Sequence, residues 1–156
     1  MKIISLDPGR TTGYSVGLLQ DEQPFQFISK QKKMTHEELW TELCFTQADV
    51  VVCESFDFRN GVRTGTDLIP AELIGVVHLW CARSKKRLDF QNASTHGAGG
   101  KNGYFNNENL KRKGIYVAAR PHAMDSLRIL LYWYEFGKGF QFNNKMGYKE
   151  SMFHHL

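Results

Sequence analysis

The stretch IISLDPGRTTGYSV, residues 3–16, decides the fold class of this chain. Its first apolar run ends on Asp7, which is followed directly by Pro8 and Gly9. A second strand-like run begins near Gly13. This pattern predicts a tight β-hairpin whose glycines are free to adopt positive φ. An ionised carboxylate at the end of a core strand is costly unless a cationic group meets it. Asp7 is therefore either an ordinary turn residue of an Asp-Pro-Gly sequence or a ligand for a cation.

Beyond the hairpin, the pattern alternates between strands and helices. The predicted strands are 2–6, 13–19, 24–30, 49–55 and 87–91. The predicted helices lie at 35–47, 70–84, 106–114 and 122–136. The first helix begins with a capping box formed by Thr35 and Glu38, and the run DVVVCES at 49–55 is typical of a strand buried on both faces. The sequence predicts an α/β domain over 1–136, with a mixed sheet of about five strands and helices on both faces, followed by a partly disordered tail over 137–156.

Composition limits the functional classes. A chain of 156 residues is long enough for one domain with a real core. No apolar run approaches the ~20 residues that span a bilayer, and Asp7 and Arg10 interrupt any signal-peptide core. The three cysteines, Cys44, Cys53 and Cys81, each lie among apolar residues, which predicts buried thiols in a reducing compartment. We therefore expect a cytoplasmic protein without a membrane partner.

Charge is unevenly distributed along the chain. The net charge is +4, and residues 83–120 hold nine Lys/Arg against two acids. Residues 34–57 hold six acids and no Lys/Arg. Such a segregation is compatible with a solvated surface, and it also favours a polyanionic partner such as nucleic acid.

Three acids stand near the ends of separate predicted elements. Asp7 ends the first strand, Glu54 ends the fourth, and Asp125 lies three residues after His122 on one face of the last helix. Parallel pairing of the first and fourth strands would place Asp7 beside Glu54, and a divalent cation is the usual remedy for such repulsion. Each residue also has a structural interpretation, because polar residues are common at turns, strand ends and helix starts. The set as a whole favours a metal site.

The same segments resemble a known family. ISLDPGRTTGYSV, VVCES and HAMDSLRILLYWY look like the three acidic motifs of RuvC-type Holliday-junction resolvases of the RNase H-like superfamily, and most closely those of the smaller phage-encoded branch. The segments IPAELIGVV, DFQNAS and NLKRKGIY resemble the connecting segments of that branch, so the likeness covers roughly residues 1–135. The resemblance implies an RNase H-like fold. It also implies a host-cytoplasm location if the chain is phage-encoded.

The resemblance further implies a chemistry and a site. Asp7, Glu54 and Asp125, with His122 completing the set, would hold two Mg²⁺ or Mn²⁺ ions and act in phosphodiester hydrolysis, with no organic cofactor. The expected substrate is a four-way DNA junction, cut by paired nicks of a homodimer. The residues themselves suggest the interface: the helix near 70–84 is apolar around much of its circumference and carries small Ala71 and Gly75, so it forms either the dimer contact or part of the core against the sheet. The residues expected to contact DNA are aromatic or basic: Phe56, Phe58, Arg59, Arg63, Lys85, Lys86, Lys101, Lys111 and Lys113.

Two other functions remain open from the sequence. One is an RNase H-like nuclease that acts on flaps, forks or structured RNA. The other is a junction-binding module without catalytic activity, which would bind branched DNA but show no metal-dependent cutting. An actin-like ATPase shares an acid at this hairpin, but it would need a second such domain, for which this chain lacks the length.

Overall fold

The computed structural model describes residues 1–20, 25–56, 67–92, 104–137 and 148–150. The strands are β1 (Lys2–Asp7), β2 (Thr12–Leu18), β3 (Phe25–Lys32), β4 (Val50–Glu54), β5 (Arg87–Gln91) and β6 (Tyr148–Glu150). The helices are α1 (His36–Thr46), α2 (Ile69–Ser84), α3 (Asn107–Arg112) and α4 (Pro121–Phe136). Within this part of the chain, no helix has the length and apolar character that a membrane crossing needs.

The described strands form one mixed sheet with the order β5-β4-β1-β2-β3-β6. β1, β2 and β3 form an antiparallel meander, whereas β4 is parallel to both β1 and β5. This confirms the predicted mixed sheet and the predicted parallel pairing of the first and fourth strands. The sequence did not predict β6, which lies inside the expected tail and pairs in parallel with β3. The proposed division into a domain over 1–136 and a tail stays a prediction.

The sheet carries a separate apolar core on each face. On one face, Ile4, Leu6, Val51 and Cys53 pack under α1 and α2. On the other face, Ile3, Val50 and Val52 pack under α4 and the turn and short helix that precede it. Because side chains alternate along a strand, Asp7 and Glu54 both point to the α4 face.

Two expectations about individual residues are wrong. Cys44 is exposed, because it follows Leu43 on the solvent side of α1, while Cys53 and Cys81 are buried as predicted. Neither Gly9 nor Gly13 has positive φ; among the described glycines, Gly114 alone does. At Gly13 the requirement is space, since a Cβ atom there would lie 1.8 Å from the His122 carbonyl oxygen.

Small and hydroxyl-bearing residues let α4 approach the sheet closely. Ser5, Ser15 and Ser29 form a row across β1, β2 and β3, and all are buried. The Ser5 hydroxyl donates to the Ser126 carbonyl at 2.7 Å, and the Ser15 hydroxyl lies 2.8 Å from that of Ser126. These contacts fix the position of α4 relative to β1, and with it the position of the polar residues on the first turns of α4.

We predict that Gly13→Ala will lower the free energy of unfolding by about 1–3 kcal/mol, because the added methyl must displace the start of α4. Urea unfolding measures the loss. Gly9→Ala is the matched control: its Cβ would meet its nearest atom at 3.4 Å, an ordinary contact, so stability should change by less than about 0.5 kcal/mol. Equal stability of both variants would contradict the close packing of α4 on β2.

Candidate active site

Two neighbouring parallel strands place two of the predicted acids at one edge of the sheet. The paired register of β1 and β4 runs to Leu6 opposite Cys53, and Asp7 and Glu54 each stand one residue further on. Apolar strand residues bury the backbone up to this point, so both carboxylates project from a rigid scaffold. The expected side-by-side arrangement of Asp7 and Glu54 follows from this register.

The start of α4 brings the other two predicted residues to the same edge. Pro121 occupies the first helical turn, where its missing N–H is tolerated. The Gln31 side chain on β3 accepts from the Ala123 backbone N–H at 3.3 Å, which caps this end of the helix against the sheet. His122 and Asp125 therefore lie on the helical face that meets Asp7.

Three of the four predicted ligands form a close group. His122 Nδ1 lies 3.0 Å from Asp7 Oδ2, within hydrogen-bonding distance. One ligand atom each from Asp7, His122 and Asp125 lies within 4.8 Å of the others. Glu54 is outside this group, although its charge acts on Asp7. The structure thus brings together Asp7, His122 and Asp125, with Glu54 adjacent across the β1–β4 pair.

Burial makes ionised Asp7 unfavourable in the absence of a cation. Removal from water raises the pKa of Asp7 to about 6, the hydrogen bond from His122 opposes this rise, and the charges of Glu54 and Asp125 add to it. The carboxylate is only 16% exposed. A cation bound here would favour the ionised form of Asp7, because it would attract the carboxylates of Asp7, Glu54 and Asp125, which otherwise repel one another.

Arg128 is a site residue that sequence reasoning missed. Its guanidinium is buried and donates to Asp125 Oδ1 at 2.5 Å, to the Phe105 carbonyl at 3.1 Å and to the Asn107 side chain. Arg128 therefore holds Asp125 in place and ties α4 to the start of α3. The signal in the sequence was the Asp125–Arg128 spacing of three residues, which places both on one helical face.

The donor set fits a hard divalent cation. Two carboxylates and an imidazole lie within 4.8 Å of one another, and carboxylate oxygens are the ligands that Mg²⁺ and Mn²⁺ prefer. Asp7, His122 and Asp125 could hold one ion between them, and Glu54 lies on the neighbouring strand.

The predicted DNA-binding residues fall in three places. Lys111 and Lys113 are exposed at the end of α3, where the Lys111 ammonium lies 5.2 Å from the Tyr116 ring centre. Lys85 and Lys86 precede β5 and so lie at the opposite end of the parallel strands from Asp7; Lys86 forms an ion pair with Asp49 at 3.5 Å. Phe56, two residues after Glu54, is partly buried. The remaining predicted DNA contacts lie outside the described residues: Phe58, Arg59, Arg63 and Lys101.

Comparison with known proteins gives similarity in structure alone. No protein-family model matches the sequence, and no curated protein matches it either. RuvC of Thermus thermophilus superposes with a TM-score of 0.61 at 16% identity, over 88% of this chain and 97% of RuvC. The same RuvC in complex with a Holliday junction substrate gives 0.59 at 14% identity, over 88% and 97% of the two chains. The fowlpox virus Holliday junction resolvase gives 0.59 at 16% identity, over 86% of this chain and 99% of the resolvase. The chain therefore has the RNase H-like fold of the RuvC-type Holliday junction resolvases, as the sequence motifs predict.

Proposed function

We propose that this chain is a metal-dependent endonuclease that cuts four-way DNA junctions. The observation that carries the proposal is the grouping of Asp7, His122 and Asp125 within 4.8 Å at the carboxyl end of β1. The fold gives independent support, because RuvC, solved in complex with a Holliday junction substrate, has the same fold over most of this chain. The basic segment at 83–120 supplies the charge that a polyanionic substrate requires.

In this proposal Asp7, Glu54, His122 and Asp125 hold two Mg²⁺ or Mn²⁺ ions. When bound, such ions make a water molecule a stronger nucleophile and stabilise the charge on the leaving oxygen of a phosphodiester. The protein keeps its carboxylates at fixed positions, Asp7 through the sheet and Asp125 through its ion pair with Arg128. His122, hydrogen-bonded to Asp7, orients that carboxylate and is placed to bind an ion or carry a proton.

DNA binding by the exposed lysines should depend on salt. We predict that Lys111→Ala, Lys113→Ala and Lys85→Ala will each weaken junction binding and reduce the slope of log affinity against log salt by about 0.9. Fluorescence anisotropy of a labelled junction in EDTA measures both effects. Lys32→Ala is the matched control, because the Lys32 ammonium is paired with Glu38 at 2.7 Å. Unchanged slopes in all three lysine variants would show that these residues do not contact phosphate.

A homodimer would supply the two sites that paired nicking needs. One side of α2 is exposed and carries Gly75 and Leu79, and exposed Leu68 directly precedes the helix. A Cβ atom on Gly75 would meet nothing within 4 Å. We propose that this side of α2 packs against its copy about a twofold axis. Light scattering should give twice the chain mass of 18.0 kDa for the wild type and the single mass for Leu79→Glu.

The exposed residue Phe45 on α1 provides the control for the dimer, since Phe45→Glu should leave the dimer intact. A wild-type mass of one chain, both with and without junction DNA, would refute the dimer. If Leu79→Glu remained dimeric, the dimer would form through another surface.

A cleavage panel tests the function against the two alternatives. Matched four-way junction, fork, flap and linear duplex substrates are incubated with the protein in Mg²⁺, in Mn²⁺ and in EDTA. The proposal predicts metal-dependent cutting that favours the four-way junction. Preferential cutting of flaps or forks would identify another branched-DNA nuclease, and junction binding without any cutting would identify a binding module.

A further inference from the structure

Among the described residues, Arg128 is the one charged residue that is buried, and it lies three residues after Asp125 on α4. Arg128 is 5% exposed, and its neighbours Leu127, Ile129 and Leu130 are fully buried apolar residues. A buried ion pair is often no more stable than well-packed apolar side chains of similar volume. Packing alone therefore does not explain a guanidinium at this position of the helix.

The Asp125 carboxylate depends on Arg128 for its orientation. Arg128 Nη1 donates to Asp125 Oδ1 at 2.5 Å, and within the described ranges no other side chain hydrogen-bonds to this carboxylate. The Asp125 side chain is 32% exposed, so its surroundings leave it space to move. Asp7, in contrast, projects from a paired strand and also contacts His122. Without the guanidinium, Asp125 would be free to adopt other staggered rotamers.

The segment that leads into α3 holds the rest of the guanidinium. Arg128 Nε donates to the Phe105 carbonyl at 3.1 Å, and Nη2 donates to the Asn107 side chain. Phe105 is fully buried, whereas Asn107 is the exposed first residue of α3. A planar guanidinium with an acceptor for each of its three nitrogens is fixed in one orientation. Asn107 therefore acts on Asp125 through Arg128, although it is not one of the grouped ligands.

The attachment of α3 to the core does not need the Asn107 side chain. Phe105, Leu110 and Ile115 are buried in the core that lies under α4. The Asn106 side chain caps the start of α3 by accepting a backbone N–H of its first turn. Because these contacts hold α3 in place, a variant that lacks only the Asn107 side chain should keep the fold.

We propose that Asn107 and Arg128 are positioning residues for Asp125, and that α3 thereby sets the affinity of the active site for a divalent cation. Asn107 holds the guanidinium, and the guanidinium holds the Asp125 carboxylate toward Asp7 and His122. Arg128 acts here by orientation, because a positive charge beside the site would by itself weaken cation binding. This inference rests on the proposed nuclease function and adds residues outside the ligand group to it.

The test is Mn²⁺ binding to the free protein without DNA, measured from the EPR signal of unbound Mn²⁺. Asn107→Ala should weaken Mn²⁺ binding about tenfold, the lower end of the usual effect for groups that orient a metal ligand. Asn107→Asp keeps an acceptor oxygen at the same place and should bind Mn²⁺ nearly as well as the wild type. Arg128→Lys keeps the charge but not the planar set of donors, so it should weaken binding at least as much as Asn107→Ala.

Asn109→Ala is the matched control on the same helix. The Asn109 side chain contacts the Tyr104 carbonyl and Arg112 and makes no hydrogen bond to Arg128. Its removal should leave Mn²⁺ affinity unchanged. Equal or tighter Mn²⁺ binding by Asn107→Ala than by the wild type would overturn the proposal. Equal losses in Asn107→Ala and Asn109→Ala would indicate a general effect of α3 stability and would also overturn it.

Junction cleavage, measured in parallel, separates this inference from the proposed function. The cleavage rate of Asn107→Ala should fall at low Mn²⁺ and recover at high Mn²⁺, while its junction affinity in EDTA stays that of the wild type. Cutting by both proteins with the same dependence on Mn²⁺ would refute the positioning role alone. Mn²⁺ binding that depends on Asn107 without any cutting would support the positioning role and refute the nuclease. A wild type that binds no Mn²⁺ would refute both.

Discussion

Asp7→Asn should reduce metal-dependent junction cleavage by at least about a thousandfold while junction binding is preserved. Asn has nearly the same shape and still accepts a hydrogen bond, so the contact with His122 and the hairpin should survive. The substitution removes the charge that a hard divalent cation needs at this position. Binding of DNA should be equal or tighter, because a negative charge that faces phosphate is lost.

Glu54→Gln and Asp125→Asn should behave in the same way, and double variants should be little worse than single ones, because the ligands act as a unit. Nicking rates of the three single variants on one labelled junction, compared with their affinities in EDTA, measure the effect. Asp49→Asn is the matched control: Asp49 is an exposed acid just before β4, whose carboxylate accepts from the Lys2 backbone N–H. Its cleavage rate should remain near that of the wild type. If Asp7 were only a turn residue, Asn would preserve cutting, since Asn is itself a good turn former.

Asp7→Asn should also stabilise the metal-free protein at neutral pH. The pKa of Asp7 is raised to about 6 from the ordinary 3.8, mainly by burial, so the folded state holds a proton that the unfolded state releases. The free energy of unfolding of the wild type should therefore fall as the pH rises from about 4 to 6, and the loss should persist above pH 6. At 1.36 kcal/mol per pKa unit, the full effect is at most about 3 kcal/mol.

Asp7→Asn removes this loss, so its stability relative to the wild type should be greatest above pH 6 and should shrink below pH 4. Urea unfolding in EDTA across this range is the measurement. Asp49→Asn again provides the contrast, because the hydrogen bond from Lys2 lowers the pKa of Asp49 and its ionised form is favourable. Added Mg²⁺ should narrow the gap between the wild type and Asp7→Asn, since an ion that binds the folded wild type stabilises it. If the free energy of unfolding changed between pH 4 and 6 by the same amount in the wild type and in Asp7→Asn, ionised Asp7 would not be unfavourable in the folded protein, and this prediction would be wrong.

Much of this fold follows from local pattern. The unbroken apolar run at Val50–Glu54 predicts a central strand, and the turn at 8–12 predicts that β1 and β2 are antiparallel neighbours. Parallel pairing of β1 with the central strand, once assumed, places Glu54 beside Asp7. The helix that carries His122 and Asp125 was also clear from its apolar periodicity.

The sequence was less informative about features that depend on contacts between residues far apart in the chain. The sequence predicts only that Gly13 has conformational freedom, whereas in the structure Gly13 lets the His122 carbonyl approach, a contact between residues far apart in the chain. Arg128 was overlooked because a buried guanidinium is recognisable only when its carbonyl and carboxylate acceptors are known. The short strand β6 carries no pattern that separates it from the rest of the predicted tail.

We propose that the carboxylates at the ends of β1 and β4 and on α4 form the active site of a metal-dependent junction nuclease. The most direct test is a four-way junction with a different label on each of two opposed strands, incubated with the wild-type protein in Mg²⁺ or EDTA and resolved on a denaturing gel. We predict one incision in each labelled strand in Mg²⁺, at symmetric positions near the branch point, and no incision in EDTA. An intact junction in Mg²⁺, or the same incisions in EDTA, would contradict it.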